Sequence, residues 1–281
     1  MTYTGYKDLV CSEEDFNQLY TNKTLSKANP AHFVENEYLI ARNTQNEIID
    51  YFKFVGGELN RVEFLTLDSK WCGSIKPRNP EQRLAFDMLK DTRSKVKLLR
   101  GIYGSGKDAC QLTYSMSQLE AGKYQKIAFI RPNVSVANVP DIGYLKGDMY
   151  EKLSWTLGPF YDKVGGQQGI ESLMASGQLE LVPLLFIRGR SFDNTIMYVC
   201  EAQNITSEIA KLILSRCGEN SIILFNADNH QVDNRIFEKD NGITKMIDRL
   251  KGNPLFGYVY LSKTERGEVA NLANLLDDPI T

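Results

Sequence analysis

One eight-residue run, Gly101-Ile-Tyr-Gly-Ser-Gly-Lys-Asp108, constrains this chain more than any other feature. It stands between an apolar strand-like stretch, Val96–Leu99, and a helical pattern beginning at Lys107. Strand, glycine-rich turn and helix in that order set a helix N-terminus beside a curled backbone. Glycines at 101, 104 and 106 let the amides of such a curl point inward. The pattern is G-x-x-x-x-G-K, and it departs from the phosphate-binding form only at its last position, where Asp108 replaces a hydroxyl residue. In that form Lys107 reaches the β- and γ-phosphate oxygens. The competing reading is a turn that merely joins strand to helix. A phosphate site of this kind also needs an acidic group at the carboxyl end of another buried strand. Thr195–Val199, followed by Cys200 and Glu201, supplies it.

From Lys76 onward, apolar strand-like runs alternate with helical patterns. Helices are expected over Glu81–Leu89, Lys107–Glu120 and Ser207–Leu214, and strands over Val96–Leu99, Ile127–Ile130, Thr195–Val199, Ser221–Phe225 and Phe256–Leu261. Continuous apolar strands between helices describe an α/β domain with a parallel sheet covered on both faces, over residues 76–281. Before it, Tyr38-Leu-Ile-Ala, the run from Ile48 to Phe54 and the run from Arg61 to Leu67 are divided by Asn43–Asn46 and by Gly56-Gly57. They predict a small antiparallel meander within a β-rich module over residues 1–75. Ser12-Glu-Glu-Asp-Phe reads as a helix start, and the rest of residues 1–34 is left open.

Composition narrows the function classes. The 281 residues are 42% apolar and 24% charged, which excludes disorder, collagen and coiled coil. Thirty-three basic against thirty-five acidic residues give a net charge of −2, so a nucleic-acid partner has to be met by a local patch. Five cysteines without a C-x-x-C spacing and only two histidines argue against a zinc site or a disulfide framework. No signal peptide or membrane span is apparent, and a reducing cytoplasm is the expected location.

Six ordered blocks now carry a specific resemblance. They are Gly73–Gln82, the glycine loop, Arg131-Pro132 with Gly143–Gly147, Arg188–Phe192, Glu201–Thr206 and Asp228–Gln231. Over about residues 73 to 281 the chain resembles the PhoH-like family of P-loop ATPases, relatives of the superfamily 1 helicases with a RecA-like core. The meander, with Glu35-Asn-Glu-Tyr-Leu, is similar to the β module that precedes the ATPase in longer members, and no counterpart of the nuclease-like domain of some members is expected. The resemblance implies ATP and Mg2+ as cofactors. It implies that Gln82 reads the adenine edge, and that Gly101, Tyr103, Gly104, Ser105, Gly106, Lys107 and Asp108 lie along the phosphates. Lys107 would hold the terminal phosphates, Glu201 would orient or deprotonate the attacking water, and Gln231 would sense the γ-phosphate. Arg266 resembles the late-motif arginine of helicase-like ATPases. The family implies a homo-oligomeric, hexameric ring acting on single-stranded nucleic acid, RNA more than DNA.

Three positions depart from the family pattern: Asp108 for Thr or Ser, Cys200 for Asp, and Ala227 for Gly. The first two touch the metal. A carboxylate about 4 Å from a phosphate charge costs on the order of 4 kcal/mol at an effective dielectric near 20. A divalent cation between them inverts the sign. Asp108, with Glu201, is therefore the expected metal ligand, relocated from the strand end to the loop helix, since a thiol is a poor partner for Mg2+. The alternative is a nucleotide-binding pseudo-ATPase with a structural or regulatory role. A small-molecule phosphotransferase is disfavoured for want of a lid-like arginine cluster.

Among the remaining candidates, Arg188, Arg190, Arg216 and Arg249 are each either a group reaching a neighbour's site or a structural ion pair. For nucleic acid, Arg131, Asn133, Tyr144, Lys146, Lys152 and Trp155 combine charge with stacking surface. His230 and His32 read as solvated, and Cys110 and Cys217 as packing residues.

Overall fold

The computed structural model describes residues 3–29, 31–132, 157–228 and 241–265. β1 (Tyr6–Val10) leads into α1 (Glu13–Asn22), whose start is capped as the sequence suggests. Ser12 Oγ accepts from the Asp15 amide at 3.1 Å, and Asp15 accepts from the Ser12 amide at 3.0 Å. β2 (Tyr38–Arg42), β3 (Ile48–Val55) and β4 (Glu58–Arg61) form the antiparallel meander, and β1 joins its edge parallel to β2.

The last strand of the meander corrects the sequence reading: it runs over 58–61, not 61–67. Gly56 and Gly57 both take positive φ, so a two-residue turn sets Val55 opposite Glu58 and pairing resumes at once. Past Arg61 the Val62 carbonyl accepts from Arg83 Nη2 at 3.0 Å, and that guanidinium stacks 4.3 Å from the Tyr51 ring centre. The chain leaves the sheet there, and β5 (Leu67–Ser69) pairs instead with β6 (Gly73–Ile75).

The main sheet follows α2 (Pro80–Lys90). In chain order come β7 (Val96–Gly101), α3 (Lys107–Glu120), β8 (Lys126–Ile130), α4 (Gly158–Tyr161), α5 (Gly166–Ala175) and β9 (Leu179–Leu181). Then follow β10 (Thr195–Val199), α6 (Ser207–Leu214), β11 (Ile222–Asp228), α7 (Gly242–Leu250) and β12 (Phe256–Leu261). The six strands are parallel in the order β12-β7-β11-β10-β8-β9. Adjacent residues feed opposite cores, as period-two geometry requires. Leu99, Phe129, Tyr198 and Leu224 pack on one face, and Leu98, Ile130, Val199 and Phe225 on the other. This is the expected α/β arrangement with both faces covered.

The N-terminal strands are tied closely to this sheet. Thr4 accepts from the Tyr260 amide at 2.9 Å, and a Cβ on Gly5, at φ +85°, would stand 1.9 Å from the Tyr258 carbonyl oxygen, so only glycine fits. Asn36 Nδ2 donates to the carbonyls of Pro254 and Phe256, each at 3.0 Å. Tyr38 Oη reaches Asp87 at 2.8 Å, and Lys53 pairs with Asp91 at 2.6 Å on the side of α2.

Beneath α2 lies Lys97 of β7, fully buried, whose Nζ donates to the carbonyls of Met88, Leu89 and Asp91 at 2.9, 2.5 and 2.6 Å. It caps the helix C-terminus from below, where carbonyls lack intrahelical partners. Burial pushes this amine down to about 7. Because the folded value lies below the unfolded one, the unfolded chain holds the extra proton between about pH 7 and 10. The contribution of Lys97 to stability therefore rises with pH through that window. Lys97→Met is expected to cost about 2–3 kcal/mol by orphaning the carbonyls. It should also flatten the difference between urea unfolding curves at pH 7 and pH 8.5.

Candidate functional site

β7 lies between β12 and β11, and its crossover through α3 leads past β11 and β10 to β8. Such a reversal opens a crevice at the carboxyl ends of the strands. The Gly101–Lys107 loop lies there. Gly106 takes φ +87° as α3 begins, and a Cβ on it would come 2.9 Å from Gln82 Nε2. Helices α1, α2, α6 and α7 are capped by Ser12, Asn79, Thr206 and Asn241, whereas α3, like α4 and α5, has no side-chain cap at its N-cap residue. The N-terminus of α3 and its dipole thus face the crevice with a glycine at the cap, a feature suited to an anion.

The crevice has a volume of about 530 Å³. Gln82, Tyr103, Gly104, Gly106, Lys107 and Asp108 line it opposite Glu201, Asn226 and Asp228, with Ile75 and Phe86 as apolar wall. Seven of the residues singled out in sequence are thereby brought together. Ser105 is buried beside them, its Oγ donating to the Ile102 carbonyl at 2.8 Å, and Gly101 ends the strand beneath. Gln231 and Arg266 lie outside the described residues, as do His230, Asn133, Tyr144, Lys146, Lys152 and Trp155.

Lys107 is buried, and its Nζ donates to the carbonyls of Gly101 and Ile102, both at 2.9 Å, and to Asp228 Oδ2 at 3.2 Å. The ammonium therefore sits under the loop against the end of β11. Asp108 does not pair with it. Its Oδ1 accepts from Tyr198 Oη and from Asn226 Nδ2, each at 2.8 Å.

Cys200 is buried, and burial together with the Asp108 and Glu201 carboxylates pushes its thiol well above the ordinary value. Glu201 follows in the left-handed region at φ +52°, a conformation that costs a non-glycine residue of order 1–3 kcal/mol. Gln203 holds it: its Nε2 donates to Glu201 Oε2 at 2.7 Å while its Oε1 accepts from the Asp228 amide at 2.9 Å. One buried amide thus links the ends of β10 and β11. Arg131, at the end of β8, approaches Glu201 Oε1 at 4.0 Å.

Gln82 is engaged with the loop itself, donating to the Ser105 carbonyl at 3.0 Å and accepting from the Arg78 amide at 2.9 Å. Glu81 beside it accepts from Tyr6 Oη at 3.0 Å and the Ser262 amide at 2.6 Å, joining β1, α2 and the segment after β12. That segment crosses the loop, with the Glu265 amide donating to the Gly104 carbonyl at 2.9 Å. Arg190 makes a structural pair, 2.7 Å from Glu180 and stacked on Phe192. Tyr198, Asn226, Gln203 and the lysine-partner role of Asp228 were not singled out in sequence. The available signal was polarity at the carboxyl ends of β10 and β11, in strands otherwise apolar.

The oxygen donors suit a hard cation. Asp108, Glu201 and Asp228 offer carboxylate oxygens in the crevice, Asp228 being paired with Lys107, whereas a thiol such as that of Cys200 is a poor partner for such an ion. No described helix is long and apolar enough to cross a membrane.

Comparison with known proteins completes the picture. Protein PhoH2 of Bacillus subtilis is 31% identical over 96% of this chain and 63% of its own length. Protein PhoH2 of Thermobispora bispora is 29% identical over 99% of this chain and 64% of its own. The chain thus spans under two thirds of these relatives. A PhoH-like protein of Bacillus subtilis is 32% identical over 81% of this chain and 69% of its own. Among solved structures, the Pif1 helicase of Candida albicans aligns with a TM-score of 0.36 at 11% identity, over 74% of this chain and 46% of that one, a likeness too slight to inform activity. The profile of the family described as PhoH-like protein matches residues 74–272, the stretch that holds the glycine loop and every strand of the six-stranded sheet. With its glycine loop at the carboxyl edge of a parallel α/β sheet, this chain belongs to the PhoH-like family.

Proposed function

We propose that this chain binds ATP with Mg2+ in the crevice and hydrolyses it. Hydrolysis would drive movement along, or remodelling of, single-stranded nucleic acid, RNA in preference to DNA, by a cytoplasmic hexameric ring. Residues 1–75 form the β-rich module and 76–281 the ATPase domain of this reading. The observation that supports it most is the meeting of an uncapped helix N-terminus, Lys107 and the strand-end Glu201 in one crevice. Loop amides and Lys107 cradle the terminal phosphates, and binding draws the ammonium from Asp228 toward them. Asp108 and Glu201 would hold Mg2+, which when bound neutralises charge on the β- and γ-phosphate oxygens. Glu201, fixed by Gln203, orients a water and takes its proton. Arg266 of a neighbouring subunit, with Gln231, completes the charge stabilisation, and Gln82 releases its loop contacts to read the base.

A second reading is favoured by one observation, a buried thiol, Cys200, at the strand end together with Asp108 after the loop lysine: a nucleotide-binding protein that no longer hydrolyses. A phosphate-release assay with and without single-stranded RNA or DNA separates the two. Turnover stimulated several-fold by RNA and weakened by salt is expected. ATP-dependent sedimentation should show assembly beyond a monomer. Tight nucleotide binding without any turnover favours the second reading.

A further inference from the structure

The glycine loop is braced from outside by the chain that leaves β12. The Ile102 amide donates to the Leu261 carbonyl at 3.1 Å, and the Glu265 amide donates to the Gly104 carbonyl at 2.9 Å. Gln82 of α2 holds the next carbonyl, that of Ser105, at 3.0 Å. In a trans peptide the carbonyl and the following amide point opposite ways, so holding the carbonyls of Gly104 and Ser105 sets the directions of the Ser105 and Gly106 amides. The brace is in turn held by α2. Glu81 accepts from the Ser262 amide at 2.6 Å and from Ser262 Oγ, and Asn79 Nδ2 donates to Glu265 Oε1 at 2.5 Å. Glu81 is buried, and its third bond comes from far away in sequence, from Tyr6 Oη on β1 at 3.0 Å. Tyr6 lies outside the stretch that the family profile matches, yet it bonds the residue that fixes the brace.

We infer that Glu81, gripped by Tyr6, is a positioning residue of the nucleotide site: it fixes residues 262–265 and, through them, the amides of the glycine loop. The inference rests on the reading of the crevice as a nucleotide site. It gives β1 a part in nucleotide recognition, since an anchored loop has less ordering left to lose when phosphates bind. The other phenol that docks the N-terminal strands on α2 has no such route. Tyr38 Oη donates to Asp87 at 2.8 Å, but Asp87 lies about 9 Å further along the helix, beside Lys53. Among the described residues Asp87 bonds neither the loop nor residues 262–265.

The test compares Tyr6→Phe with Tyr38→Phe in the full chain, each losing one phenol hydroxyl that bonds a carboxylate of α2. Affinity for a fluorescent, non-hydrolysable ATP analogue in Mg2+ is read beside the melting temperature without nucleotide, and hydrogen exchange is followed at residues 101–107. Tyr6→Phe is expected to weaken binding of the analogue by about 10-fold and to speed exchange in the loop. Tyr38→Phe is expected to lower the melting temperature as much, with affinity kept within about twofold and loop exchange unchanged. Glu81→Gln keeps size but puts a donor where an acceptor stood, and should weaken binding at least as much as Tyr6→Phe. Should Tyr6→Phe fold poorly, Ser262→Ala, which loses only the hydroxyl bond to Glu81, is expected to give the same pattern. Equal loss of affinity in Tyr6→Phe and Tyr38→Phe would show that β1 serves the fold alone. That result, or wild-type affinity in both Tyr6→Phe and Glu81→Gln, overturns the inference while the nucleotide reading stands. A wild type that binds no nucleotide overturns both.

Discussion

Lys107→Ala is expected to abolish measurable ATP binding, weakening affinity by at least about 100-fold, the equivalent of two charge-assisted hydrogen bonds. The ammonium already occupies the underside of the loop, bonded to the Gly101 and Ile102 carbonyls, and is nine-tenths buried. In the proposed nucleotide complex a short swing would carry it to a terminal phosphate. The same substitution strips Asp228 of its buried counter-charge, and breaking a buried pair costs of order 3–5 kcal/mol. Loss of binding could then reflect loss of fold. The double variant Lys107→Met with Asp228→Asn separates the two, because it removes both charges at once. It is expected to recover most of the melting temperature and none of the nucleotide affinity, measured by fluorescence anisotropy. Recovery of binding along with stability would show that the lysine serves the fold alone.

The second large effect concerns Glu201→Gln. Hydrolysis measured in a single turnover is expected to fall by at least about 100-fold, the lower end of what a positioned general base contributes, with nucleotide affinity kept within a few-fold. The substitution keeps size and hydrogen-bonding reach and removes only basicity. Glu201 is held against the preference of its own backbone, at φ +52°, by the Gln203 bridge to Asp228. Strain kept in place by a buried amide suits a group whose aim matters more than its comfort. Equal single-turnover rates for Glu201→Gln and wild type would remove Glu201 from the chemistry.

Much of the fold was legible because the parallel strands are apolar throughout and their helices carry distinct patterns. Thr195–Val199, Lys107–Glu120, Ser207–Leu214 and Phe256–Leu261 stand where their residues predict. β4 departs from its expected place because Val62–Leu67 has strand composition, yet after the Val62 amide bonds the Tyr51 carbonyl the chain is held by Arg83 and the core until Leu67 pairs with β6. Helix α7 carries its own signal, Ile243, Met246 and Ile247 at helical spacing behind an Asn241 cap. β9, three residues long, offers no periodicity to read.

At the site, the loop and its lysine were legible because their spacing alone dictates a curl. The partners were not, because Tyr198–Asp108–Asn226 and Lys107–Asp228 join residues 90 to 121 positions apart, a proximity created only by the strand order. Adjacency in sequence alone does not fix whether Asp108 turns toward Lys107. It turns instead to β10 and β11, which leaves the lysine to Asp228.

Isothermal titration calorimetry of the wild-type chain with a non-hydrolysable ATP analogue, in Mg2+ and again in EDTA, tests the central claim most directly. Saturable binding near one nucleotide per chain in Mg2+, weakened at least about 10-fold in EDTA, is the result predicted for a loop that grips phosphates through a cation held by Asp108. No heat with any purine triphosphate in either buffer would contradict it.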